Sequence, residues 1–325
     1  VAQLGGVHLA CEQASNLLTK VLERGRLMSY LEQSTRYIAY DSRIGGRYRY
    51  YRDPDVMRSP LGTRFVSDMD RMFDTYSELV PKMADFFRTQ FPRSDKDSDF
   101  IYRTAIQAKS LDAVRGLLPA AALSNVGIYG SGQAYETLLL RMRANPLPEA
   151  RTYADLMLGE LRKVIPSFLK RVDLEDRGVV WSKYLEERQT GMSALVDEFL
   201  PETSSIDDQP GVTLVDFDPD AEIKLVASMM YAYSSLPEAE IEQHVRVMGV
   251  EDRIAVVKAY VGERRNRRHR PGRALERPLY RFDILSDYGA FRDLQRHRMM
   301  TVDWQKLSPQ HGYQLPESLE LAGHA

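Results

Sequence analysis

Apolar residues along most of the chain recur every three or four positions, the period of a helix with one buried face. The stripe Phe65, Met69, Met72, Phe73, Tyr76, Leu79, Val80, Met83 and Phe87 is the clearest case, and its spacing predicts a long helix that packs a core. Ser59-Pro60 stands before it as a helix start. Similar spacing predicts helices over 100–118 (stopped by Pro119), over 127–143 after a glycine-rich entry, and over 149–172. Leu17, Leu18, Val21, Leu22 and Met28, with no proline nearby, predict that 9–40 is mostly helix as well. The segment 42–51 alternates Arg and Tyr after Gly45-Gly46 and predicts a strand or extended loop.

Residues 201–212 are rich in Pro, Gly, Ser and Asp, the composition of a linker. Beyond them, 212–217 alternates like a strand and 219–233 reads as helix. Further helices start at Glu238 and Glu251, a short strand covers 280–284, and 286–305 reads largely as helix. The fold class expected is α+β, mostly helical with a small mixed sheet. Val1 is followed closely by a patterned segment, and Glu317–Ala322 reads as a helix just starting, so an internal piece of a longer chain is expected.

The chain also repeats itself. Residues 20–29 align with 292–301 at a constant offset of 272 positions, with Leu22/Leu294, Arg24/Arg296, Arg26/Arg298 and Met28/Met300 identical. Lys20/Arg292, Glu23/Gln295, Leu27/Met299 and Ser29/Thr301 are close in size or chemistry. Each copy carries Arg-x-Arg followed three residues on by a hydroxyl, which indicates duplication.

Composition narrows the function classes. With 325 residues, 43% hydrophobic and 28% charged, the chain has material for about two folded domains. The 44 basic and 46 acidic residues nearly cancel, which argues against a dedicated nucleic-acid binder. The basic run 263–273 lacks interleaved aromatics and reads as a solvated loop or one near nucleotide phosphates. No apolar run is long enough to span a membrane. The lone Cys11 allows no internal disulfide and no multi-cysteine zinc site, and it suits a reducing cytoplasm. His244, His269, His297 and His311 lack metal-ligand spacing, so no metal is expected. The glycines of 127–132 are not followed by the Lys-Ser/Thr of a P-loop.

The chemistry concentrates in 24–37, where Arg24, Arg26, Ser29, Glu32, Ser34 and Arg36 crowd one stretch. Guanidinium forks and hydroxyls suit a phosphate or an anionic heterocycle. A solvated charged face is the other reading of the same composition. This segment resembles the signature of flavin-dependent thymidylate synthases, R-H-R-x-x-S-x-N-E-x-S-x-R-Y. Arg24, Arg26, Ser29, Glu32, Ser34, Arg36 and Tyr37 fall in register, while Gly25 replaces the His and Leu31 the Asn. Val114-Arg-Gly-Leu-Leu-Pro119 is similar to the family's A-R-x-V-L-P. Leu138–Arg143 and the helix from Glu149 are similar to its two closing helices, and Gln133 stands where its N-x-R element has Arg. In the second half, 212–233 resembles the family's opening strand and helix, and 268–276 lies where it has an H-x-S-x-x-E-H-like loop. Arg296-His297-Arg298 restores R-H-R, while Asp303, Trp304, Lys306 and Ser308 replace the rest of the signature.

The resemblance implies a C-terminal part of one copy at 1–200, a linker at 201–212 and an N-terminal part of a second copy at 213–325. It implies reductive methylation of dUMP to dTMP, with methylenetetrahydrofolate as carbon donor and FAD, recharged by NADPH, as hydride source. Flavin contacts are expected from Arg24, Arg26, Glu32, Arg296, His297 and Arg298, and dUMP contacts from Ser29, Glu32, Ser34, Arg36 and Arg115. Ser34, Arg36 and Gln133 are the expected catalytic positions. The family builds its sites across the subunits of a tetramer, so a homo-oligomer, here a pseudo-tetramer of duplicated copies, is implied. The losses in the two copies are complementary, so a single site is expected to take flavin contacts from the second copy and nucleotide contacts from the first. The alternative is a catalytically silent nucleotide- or flavin-binding scaffold on the same fold.

Overall fold

The computed structural model describes residues 1–200 and 211–324 and divides into two compact units. The first comprises residues 1–206 and 288–325, and the second residues 207–287. The expected linker falls mostly on 201–210, outside the described residues; Gly211 and Val212 already belong to a strand. The residues expected to form the second copy are thus divided, with 213–287 in the small unit and 288–324 folded with the first copy.

The larger unit is built on an antiparallel sheet of β1 (Gly6–Ser15), β2 (Met28–Glu32) and β3 (Leu123–Ser131), in the order β1-β3-β2. In the central strand Ser124, Val126, Ile128 and Gly130 are buried, the period-two pattern of a sheet with one covered face. A Cβ at Gly130 would lie 2.5 Å from Met28 Cε, so glycine lets the β2 side chain cross there. α1 (Asn16–Leu22), α5 (Gly132–Arg143) and α6 (Pro148–Arg162) cover that face through Leu18, Leu22, Leu139, Met142, Met157 and Leu161. The Tyr135 hydroxyl lies 3.1 Å from the carbonyls of both Val7 and Ile128, tying α5 to the β1–β3 pair.

The helix expected over 9–40 is corrected: β1, a two-turn helix and β2 occupy it. Val7 and Cys11 turn inward from β1 while their neighbours face out, and pairing with β3 satisfies the backbone that a helix would have satisfied internally. The glycine-rich entry to the next helix is likewise the central strand.

A second layer holds α2 (Pro54–Arg58), α3 (Gly62–Gln90) and α4 (Asp99–Val114). The expected stripe is core: Phe73, Tyr76, Met83 and Phe87 are buried against Ile106, Leu111 and Val114. The Arg–Tyr segment is an extended loop laid on α3. Tyr48 and Tyr50 bury their rings, and their hydroxyls donate to Asp74 at 2.6 Å and Asp70 at 3.0 Å. Arg43 and Arg52 cover the outer faces of those rings, 4.3 and 3.8 Å from the centroids. After α6 comes α7 (Val180–Phe199).

The small unit has strands where 212–217 and 280–284 predict them, and pairs β4 (Gly211–Phe217) antiparallel with β5 (Tyr280–Leu285). α8 (Ala221–Tyr231), α9 (Glu238–Val247) and α10 (Val250–Val261) pack through Val226, Ala227, Ile241 and Val245. The basic run is an exposed loop closed on itself, with Arg264 donating to the His269 carbonyl at 2.7 Å.

The helix expected over 286–305 is shorter. α11 (Tyr288–Gln295) ends there and the chain continues irregularly to α12 (Glu317–Leu321). The α+β reading holds, with helix dominant; every strand pairing among the described residues is antiparallel, where a mixed sheet was expected.

Candidate functional site

The signature segment leaves α1, turns at Gly25, forms edge strand β2 and ends in a turn at Ser34–Arg36. Glu32, the last residue of β2, carries the most constrained group. Its side chain is 3% exposed, and Lys20 of α1 reaches it at 3.7 Å. Arg292 and Arg296 approach from the second repeat, at 3.2 and 2.7 Å. Burial alone would raise the Glu32 pKa, but these three cations overcome it and hold the carboxyl below its ordinary range. Glu23 shares Lys20 at 3.1 Å, and burial, together with repulsion from Glu32, pushes its pKa up. The surroundings thus favour the charged form of Glu32 and weigh against that of Glu23.

Around this centre the two repeats meet. Arg26 donates to Thr301 Oγ1 at 2.7 Å, Arg298 to Ser29 Oγ at 3.4 Å, and Arg24 pairs with Asp303 at 3.4 Å. Arg24, Arg26, Arg296, His297 and Arg298 are all exposed on this surface. The Nε of Arg292 is buried with no hydrogen-bond partner among the described residues. The cations Lys20, Arg24, Arg26, Arg292, Arg296 and Arg298 outnumber the carboxylates Glu23, Glu32, Asp293 and Asp303. That surplus fits a diphosphate.

Of the residues expected to contact the nucleotide, Ser29 and Glu32 lie in this centre, and Ser34, Arg36 and Arg115 form a neighbouring group. The Ser34 hydroxyl accepts from the Arg36 N–H at 3.2 Å and shapes the turn. Asp112, on the last turn of α4, takes Arg36 at 3.0 Å and Arg115 at 3.1 Å, so one carboxylate holds two guanidiniums together and leaves them net positive.

Gln133 is not brought to this group. It opens α5 at the far end of β3, where its N–H donates to the Ala2 carbonyl at 3.3 Å. Ser124, at the near end, donates to the carbonyl of Gln33, next to Ser34. Nine residues of strand put roughly 25–30 Å between these ends, too far for a side chain to bridge.

The lost signature His has a structural counterpart. A Cβ at Gly25 would lie 2.6 Å from Tyr30 Oη and 3.2 Å from Met28 Sδ. Tyr30 donates to the Gly25 carbonyl at 2.9 Å, and burial pushes its own pKa up to about 12. The sequence reading missed Lys20, Arg292 and Asp112. Lys20 and Arg292 stand in the repeat alignment as a matched basic pair, which was their signal; Asp112 carries no motif and is found only by proximity. No group of three or more His, Cys, Asp or Glu could hold a metal ion among the described residues. No helix there is long and apolar enough to cross a membrane.

A three-stranded sheet backed by helices, with an Arg-x-Arg…Ser…Glu…Ser-x-Arg segment on its edge, agrees with what the family comparison finds. Residues 1–167 match the family model described as thymidylate synthase complementing protein, and the chain belongs to that family. It is 40% identical over 324 residues to a UPF0159 protein of Chlamydia pneumoniae, covering 98% of this chain and 60% of that protein. A UPF0159 protein of Chlamydia muridarum is 38% identical over 323 residues, with the same coverage. One from Thermoplasma acidophilum is 28% identical over 340 residues, covering 97% of this chain and 66% of that protein. The chain thus spans about three-fifths of the length of the chlamydial relatives.

Proposed function

We propose that this chain carries the flavin- and nucleotide-binding part of a thymidylate synthase that methylates dUMP reductively, with methylenetetrahydrofolate and NADPH as co-substrates. The observation that carries the reading is the Glu32 centre: a buried, ionised carboxylate gathers cations from both repeats under a surface with arginines to spare. FAD would be held there by Arg26, Arg298 and His297, with Glu32 fixing Arg296 and Arg24 drawn off to Asp303 and Trp304. When bound it supplies the hydride chemistry. Arg36 and Arg115, aligned by Asp112, would take the dUMP phosphate, with the Ser34 hydroxyl beside it and Ser29 on the flavin side against Arg298. Gln133 would serve the site of a neighbouring subunit, which makes a homo-oligomer part of the proposal. The cytoplasm is the proposed compartment; it suits the buried Cys11 thiol, whose pKa burial pushes up to about 12.

A second reading, a silent binding scaffold, is favoured by Tyr30 filling the signature His position and by Gln133 in place of Arg. One set of measurements on the full-length protein separates the two: flavin absorbance, calorimetric dUMP affinity and dUMP-dependent formation of dTMP. The enzyme reading expects all three. Bound FAD and dUMP without dTMP selects the scaffold. Arg36→Ala should weaken dUMP binding by about 1.5–3 kcal/mol, the range for a charged hydrogen bond; unchanged affinity would reject this placement of the phosphate.

A further inference from the structure

The repeat at offset 272 reappears in the larger unit as exchanged contacts. Arg26 bonds Thr301, and their repeat mates Arg298 and Ser29 bond each other. Arg296 bonds Glu32, and its mate Arg24 lies 4.8 Å from the ring centroid of Trp304, which holds the position equivalent to Glu32. Tyr288 Oη donates to the carbonyl of Asn16, its own mate, at 3.1 Å, and these two residues open α11 and α1. Contacts from i to j matched by contacts from j to i are the mark of a two-fold relation, here within one chain.

The two halves are unequal. On one side Glu32 is ringed by Lys20, Arg292 and Arg296. On the other the indole of Trp304 occupies the carboxylate's place, packs edge-on against Phe291 at 5.5 Å and 63°, and lies under the Arg24 guanidinium. An indole brings bulk and a π-face but no charge. Arg24 is engaged by that face and by Asp303, where Arg296 is engaged by Glu32.

We infer that Trp304 closes the second of two pseudo-symmetric anion sites, leaving the chain one acceptor for a dinucleotide, on the Glu32 side, where the repeat would otherwise build two. The closure stands on the contacts above, and the identity of the ligand rests on the flavin reading. The test uses the full-length protein with FAD as the probe, in two independent measurements. In a Trp181→Phe background Trp304 is the one tryptophan left in residues 1–325, and its signal is read as the difference between that protein and the same protein carrying Trp304→Phe. Its quenching by acrylamide should be several-fold weaker than that of a free tryptophan amide and should rise in Trp181→Phe with Arg24→Ala. Equilibrium dialysis should find one FAD per chain in the wild type, still one in Trp304→Phe, and a rise towards two in Trp304→Glu, which restores the carboxylate.

Freely quenched Trp304, two FAD in the wild type, or one FAD in a folded Trp304→Glu each overturns the inference. Should Trp304→Glu fail to fold, the quenching and the wild-type stoichiometry decide it. A wild type that binds no FAD rejects the proposed ligand, and the closure is then judged by quenching alone.

Discussion

Glu32 and Glu149 are both buried carboxyls, and their surroundings send them in opposite directions. Glu149 accepts from the Ser15 N–H at 2.8 Å and from the Ser15 hydroxyl, but meets no cation among the described residues. Burial raises its pKa and the two hydrogen bonds only partly offset this. The stability it contributes is therefore full below the ordinary carboxylate range, about pH 4.3, and is lost as pH rises through the higher folded value. Glu32, held below that range, contributes stability above it and loses it as pH falls through the lower folded value. Thermal melts against pH should show Glu149→Gln gaining on the wild type as pH rises. Glu32→Gln should cost about 3–5 kcal/mol near neutrality, because it strands buried cations, and less in acid. Parallel pH curves for wild type and both variants would refute the assignments.

At the scale of elements, periodicity succeeded where a helix buries its own stripe and failed where a neighbour supplied the order. α3 shows its core face in every turn, from Phe65 to Phe87. Phe73, stacked on Tyr48 at 4.9 Å, is fully buried, whereas Phe100 at the start of α4 is 71% exposed. Phe73→Ala should destabilise by about 3–5 kcal/mol and Phe100→Ala by less than about 0.5, measured by denaturant unfolding. Equal costs would mean that α3 and α4 do not pack as described. β1 and β2 were read as helix because Leu17, Leu18, Val21 and Leu22, which do form α1, lent their spacing to both flanks. What makes the flanks strands is β3, far along the chain, with Gly130 leaving room for Met28.

For the whole molecule, the contacts between the segments 16–32 and 288–304 are the organising feature. Arg292 reaches Glu32 across 260 positions, and both side chains are largely shielded from water. A double-mutant cycle of Glu32→Gln and Arg292→Met, followed by thermal or urea unfolding, should return a coupling of about 0.5–3 kcal/mol. Additive effects would mean that the repeats do not meet through this pair. Within the same frame, Gly25 and Trp304 have physical roles: Tyr30 occupies the space a side chain at 25 would need, and Trp304 replaces a carboxylate with a packed ring.

The sequence by itself determined the helical content, the long core helix α3, the strands β4 and β5, the repeat and the residues of the signature. Each of these is a local pattern, written in side-chain spacing or in matched residue types. Only the tertiary structure decided that 6–15 and 28–32 are strands, that Asp112 gathers Arg36 and Arg115, that Gln133 lies at the opposite end of β3, and that Lys20, Arg292 and Arg296 converge on Glu32. Strand pairing and ion clusters draw on residues far apart in the chain, and such partners leave no period in the sequence between them.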